Sequence, residues 1–203
     1  SYGKLMKAYY AKQDAEKLSG KGDTSQKLTL MKTSADSLKK SADALNDSSL
    51  LGKKKIKKKD EKTGEEIEVE DYDWDKITKA VKSFVEDYND VVKEAGESNT
   101  KDVLRNASWM TGMTDKNSNM LAKIGITIGK GNKLELDEDA LKQADISSLK
   151  TVFTGYNSFV SKISQKATGI SNAANRASAT YTNNGTYSKT DSSLTSSKID
   201  KEV

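Results

Sequence analysis

Proline, cysteine and histidine do not occur anywhere in the 203 residues. Without proline no helix has to break for lack of a backbone donor, so long uninterrupted helices are favoured. Without cysteine there is no disulfide, no thiolate nucleophile and no Cys/His zinc site, and the compartment cannot be read from redox chemistry. Without histidine the usual near-neutral acid or base is missing. No run of about 18 apolar residues offers a membrane span. The start, Ser1 to Met6, lacks the apolar core of about 7 to 15 residues of a cleavable secretory signal. It also lacks an initiator Met, which reads as a processed or trimmed piece.

Large apolar residues are scarce. Leu, Ile, Val and Phe together make 37 of 203 residues, about 18%, under the roughly 20% that separates packed chains from disordered ones. Net charge is only +4, however, so self-repulsion does not keep the chain open. A mainly α fold with thin apolar stripes follows: long antiparallel helices in a coiled-coil-like bundle, plus one or two short β-hairpins.

The stripes are visible as alternating steps of three and four. Leu28, Met31, Ala35, Leu38, Ala42 and Leu45 predict a helix over 26–46, and Trp74, Ile77, Val81, Phe84, Tyr88, Val91 and Ala95 a second over 74–95, stopped by Gly96. A third starts near Thr100 with Val103, Ala107 and Met110, and the polar stretch from Thr111-Gly112 to Asn119 predicts a break. The longest pattern runs Ile146, Leu149, Phe153, Tyr156, Val160, Ile163, Ala167, Ile170, Ala174, Ala177, Tyr181, and predicts one helix over 146–180 with a coiled-coil seam. Its first half is bulky and should pack. Its alanine-rich second half buries too little to hold itself, so Ala167, Ile170, Ala174, Ala177 and Tyr181 read either as a subunit interface that orders against another copy or as a helix end that frays or leans on its own body.

Two hairpins interrupt the helices. Ile124, Ile126 and Ile128 alternate with polar or small residues, Gly129-Lys130-Gly131-Asn132 supplies a turn, and Leu134 and Leu136 resume the alternation, giving a hairpin at 124–136 expected to cap one bundle end. Asp137 then reads as a helix cap. The insert at 53–71 sets six lysines, Lys53 to Lys59 around Ile56, against the glutamates Glu65 to Glu70, and reads either as a charge-paired hairpin or as a loop. Thus 1–182 forms one helical body with these two hairpins, and 183–203 a flexible polar tail. The expected core comprises Leu38, Phe84, Tyr88, Leu121, Ile124, Ile126, Leu134, Leu136, Phe153 and Val160.

Chemistry finds little purchase. The lysine run is cancelled by the acids between Asp60 and Asp75 and carries no interleaved aromatics, and only Arg105 and Arg176 could make bidentate contacts, so no nucleic-acid partner is implied. Asp71-Tyr72-Asp73-Trp74-Asp75 opens like a calcium loop, but Lys76 replaces the turn glycine and Lys82 the closing glutamate, and Asp73 reads better as a helix cap. Ser-x-x-Lys pairs occur no more often than composition predicts. Gly129-Lys130-Gly131 lacks the rest of a phosphate loop. No catalytic residue, metal site or cofactor is read from this chain.

Four segments in fixed order are more specific: Phe84-Val85-Glu86-Asp87-Tyr88-Asn89, Leu121-Ala122-Lys123-Ile124-Gly125-Ile126-Thr127, Asn132-Lys133-Leu134-Glu135-Leu136-Asp137-Glu138 with Leu141, and Leu149-Lys150-Thr151-Val152-Phe153-Thr154-Gly155. Over roughly residues 74 to 175 they resemble the C-terminal region of the flagellar filament cap family, hook-associated protein 2, as a reduced relative or a fragment. The resemblance implies an extracellular axial protein of the bacterial flagellum, exported through the flagellar secretion channel without a cleavable signal. It implies a non-enzymatic ring-like oligomer of copies of itself at the filament tip, assisting flagellin assembly. The alternative is an extracellular adhesion module that kept the fold and binds host glycan or mucin.

Overall fold

A computed structural model describes residues 22–60 and 62–179. The tail at 183–203 and Tyr181 lie outside the described residues. As the low apolar content predicts, the fold is mainly α with small β: seven α-helices and two antiparallel hairpins among the described residues.

Helix α1 (Ser25–Asn46) buries Leu28, Met31, Ala35, Leu38, Ala42 and Leu45, the whole predicted stripe, and starts where the Thr24 hydroxyl accepts from the Lys27 amide. Helix α2 (Trp74–Gly96) starts where Asp73 accepts from the Lys76 amide, as its cap reading predicts. It buries Ile77, Val81, Phe84, Tyr88, Val91 and Ala95 of the predicted stripe, adds Val85 and Val92, and leaves Trp74 half-buried. Between them a 3-10 turn, Ser48–Leu51, buries Leu50 and Leu51. Strands β1 (Lys54–Lys59) and β2 (Glu66–Asp71) then form the charged hairpin, with Lys55 opposite Glu70, Lys57 opposite Glu68 and Lys59 opposite Glu66.

Helix α3 (Lys101–Lys116) runs straight through Thr111-Gly112, where a break was predicted. The hydroxyls of Thr111 and Thr114 donate to the carbonyls of Ala107 and Met110 one turn back, so these polar groups are satisfied inside the helix. The break comes later, at Asn117, which ends α3 and precedes the short α4 (Ser118–Ala122). Strands β3 (Ile126–Ile128) and β4 (Leu134–Leu136) pair Ile126 with Leu136 and Ile128 with Leu134. Gly125, just before β3, has φ +78, and a Cβ there would lie 2.6 Å from the Asp137 carbonyl oxygen, so this position needs glycine twice over. Helix α5 (Glu138–Gln143) follows, capped by Asp137.

The predicted helix over 146–180 is two helices, α6 (Ile146–Phe153) and α7 (Phe159–Ala179). Gly155 sits between them at φ +101, outside helical space, and the Ser158 hydroxyl accepts from the Ser161 amide to start α7 afresh. The interruption turns Tyr156 out to 82% exposure and brings Phe159 into its place in the core, edge-on to Phe84 at 6.3 Å.

The core forms where α1, α2, α3 and α7 meet. Hydrogen bonds between Asp43 and Ser164 and between Asp36 and Ser171 show α1 and α7 antiparallel, one heptad between rungs. The Tyr88 phenol donates to Thr114 at 2.8 Å, joining α3 to α2. The second hairpin lies against the side of α2 and does not cap the bundle end. The Asn89 carboxamide donates to the Leu134 carbonyl and accepts from the Leu134 amide, clasping β4 to the helix.

Truncating Phe84 to Ala should cost about 3 to 5 kcal/mol, since it removes a fully buried ring in contact with Phe159. Ser108→Ala should be neutral or stabilising, because the buried Ser108 hydroxyl has no hydrogen-bond partner among the described residues. Denaturant melts of both variants check the pair; equal destabilisation by the two would contradict this packing.

Candidate subunit interface

The residues assigned from sequence to a subunit interface have a different position in the fold. Ala167, Ile170 and Ala174 are fully buried inside the chain's own bundle, Ala177 is half-buried against the same core, and Tyr181 lies outside the described residues. The small side chains suit close helix approach as the stripe suggested, but the partner helices are α1 and α3 of the same chain. Polar contacts missing from the apolar count add to the hold on α7. Ser171 donates to Asp36 and Ser164 to Asp43, both at 2.6 Å, while Lys32 and Lys39 hold the second carboxylate oxygens from within α1. Burial alone would raise both acids, but the hydrogen bonds from Lys32 and Ser171 lower Asp36 overall, and those from Lys39 and Ser164 lower Asp43.

All of Leu38, Phe84, Tyr88, Leu121, Ile124, Ile126, Leu134, Phe153 and Val160 are buried, and Leu136 is half-buried at the hairpin's open end. Tyr88 combines burial with a hydrogen bond to Thr114, and burial holds its phenol well above the ordinary tyrosine range.

Two polar anchors escaped the periodicity analysis. Asp23 is only 4% exposed, and its carboxylate accepts from the amides of Asn99 and Thr100 and the hydroxyls of Ser98 and Thr100, all between 2.7 and 2.9 Å. It ties the entry to α1 onto the segment that leads into α3. The nearby Arg176 guanidinium, from the far end of α7, lies 3.7 Å from Asp102 in the first turn of α3. Both ends of the described chain therefore leave the bundle side by side. The other anchor is Asn89, whose carboxamide clasps β4 to α2. A long-range cap such as Asp23 has no local spacing to betray it, because its partners lie 75 to 77 residues away.

An open cleft of about 210 Å³ beside Trp109, Gly112 and Met113 falls below the roughly 300 Å³ at which small-molecule sites begin. Trp109 is 60% exposed with the Lys166 ammonium 5.0 Å from its ring centroid. A wider hollow of about 430 Å³ at the base of the charged hairpin is bordered by Tyr72, Asp73 and Trp74, and Asp73 already caps α2 there. What remains prominent is the hairpin itself, standing off the bundle with its lysines and glutamates exposed.

The flagellar hook-associated protein 2 C-terminus family matches residues 98–202, just over half of the sequence. The chain belongs to this family. Membership makes it a cap-related structural protein of the flagellum, an extracellular appendage. The match takes in α3, the second hairpin with its Ile124-Gly125-Ile126 and Leu134 to Glu138 segments, and α7, while the Phe84 to Asn89 helix lies before it. Comparison with curated proteins and with solved structures finds no significant match.

Asp36 and Asp43 have folded pKa values below the ordinary 3.8, so their stabilisation is complete above that value and is lost as pH falls through the lowered ones. Asp87, raised chiefly by burial, has the opposite sign and offsets part of the loss. Asp36→Asn with Asp43→Asn should lower stability at neutral pH by about 1 kcal/mol in total, given the exposure of both pairs. It should also flatten the fall in melting temperature below about pH 4. Melting curves across pH check both; an unchanged acid slope in the double variant would show that these rungs do not hold α7.

Proposed function

We propose that this chain is a non-enzymatic subunit of the flagellar filament cap, assembling with copies of itself at the filament tip and assisting the insertion of flagellin. The family match over residues 98–202 is the observation that carries this reading. The construction of the bundle agrees with it. Several motif residues in the matched part serve packing or backbone geometry: Leu121, Ile124, Ile126 and Leu134 are buried, Gly125 meets the α5 backbone, and Asp137 caps α5. A rigid body of this kind can present surfaces to neighbours without changing its own shape.

The chain travels outward through the flagellar export route. Its working location is extracellular. Neither the family match nor the geometry favours the adhesion reading, with host glycan or mucin as ligand, over a role in assembly.

Immunogold labelling of intact filaments should mark the distal tip. Deleting the gene should leave flagellin secreted into the medium but not polymerised, with filaments restored when the chain is supplied. Normal filament length and motility in the deletion strain, or label confined to the cell body, would exclude the cap role.

A further inference from the structure

With Ala167, Ile170 and Ala174 used inside the bundle, self-assembly needs another surface, and the charged hairpin has the properties of one. It is a two-stranded ribbon, so each strand has one edge along which no other strand of the described residues pairs. The Asp60 amide donates to the Glu65 carbonyl at 2.9 Å, which makes that pair a hydrogen-bonded one. Because antiparallel pairs alternate, the register then turns the backbone groups of Lys55, Lys57 and Lys59 outward along one edge and those of Glu66, Glu68 and Glu70 outward along the other. All six residues are exposed. Within the hairpin only Lys57 and Glu66 of this set reach ion-pair distance, at 3.6 Å.

An open edge is normally a hazard, blunted by like charge. Here the two edges carry opposite charge, and that decides which contacts are allowed. Pairing β1 with β1 of a second copy sets lysine against lysine, and β2 with β2 sets glutamate against glutamate. Only β2 of one copy against β1 of the next brings glutamate to lysine. Rotation about an axis parallel to the strands keeps these neighbours antiparallel. In the register that the hairpin already uses, Glu68 would pair with Lys57 of the next copy and Val69 would lie beside its Ile56.

We propose that copies of this chain associate head to tail through these hairpins, the glutamate edge of β2 adding to the lysine edge of β1 in the neighbouring copy. The proposal rests on the self-assembly reading above and names its surface. Such a contact is heterologous: it cannot close as a two-fold dimer, and it propagates until a ring shuts or a helix forms.

Two variants of the full chain test it. The first exchanges the charges, Lys55, Lys57 and Lys59 to Glu together with Glu66, Glu68 and Glu70 to Lys, which preserves the pairing within each hairpin. By sedimentation velocity, the exchanged chain should form the same oligomers as wild type, weakening with salt in the same way. The second, Lys57→Pro, removes an outward amide without touching the hairpin's own ladder, and should raise the dissociation constant at least tenfold while the monomer melts as before. Loss of association by the exchanged chain, or wild-type association by Lys57→Pro, would overturn the edge contact and leave self-assembly standing. A wild-type chain that stays monomeric would overturn both.

Discussion

The pairing of α1 with α7 is the contact on which the rest of the molecule depends. Each helix has a narrow apolar stripe, and most of the stability of such a helix comes from packing that face against a neighbour. Packed antiparallel, they bury both stripes against each other and against α2 and α3, and the Asp36–Ser171 and Asp43–Ser164 rungs fix their register. Everything between residues 46 and 159 is then an excursion that leaves and returns to this pair. A chain so poor in large apolar residues can afford one such seam because most of the leucine, isoleucine, valine and phenylalanine among the described residues faces inward.

Much of that arrangement was legible in the sequence, for an identifiable reason. Steps of three and four are a direct consequence of helix geometry, so the stripes of α1 and α2 located those helices to within a residue or two. Alternation placed the second hairpin, and side-chain chemistry placed the caps at Asp73 and Asp137. The same rule misled at 154–158, because Phe153, Tyr156 and Val160 keep the spacing although the backbone between them is not helical. Spacing counts residues and is blind to φ. Gly155 and the capping Ser158 were the available signal.

The assembly surface was less legible. An alanine stripe says that two helices approach closely and is silent about whether they belong to one chain, so Ala167, Ile170 and Ala174 pointed to a neighbour and found α1 and α3. Asp23 and Asn89 act across distances that no local pattern records. Conversely, the charged insert was ambiguous as text and became informative only when its register showed which backbone groups face outward.

One feature of the bundle has a mechanical meaning. Residues 23 and 176 both adjoin the first turn of α3, so the chain enters and leaves at the same end of the α1–α7 pair. Tension between the two ends would not shear that seam, in which case all its layers would resist together. It would peel the helices apart from one end, layer by layer, as a zipper opens, and the Asp23 clasp and the Arg176–Asp102 pair would carry the load first.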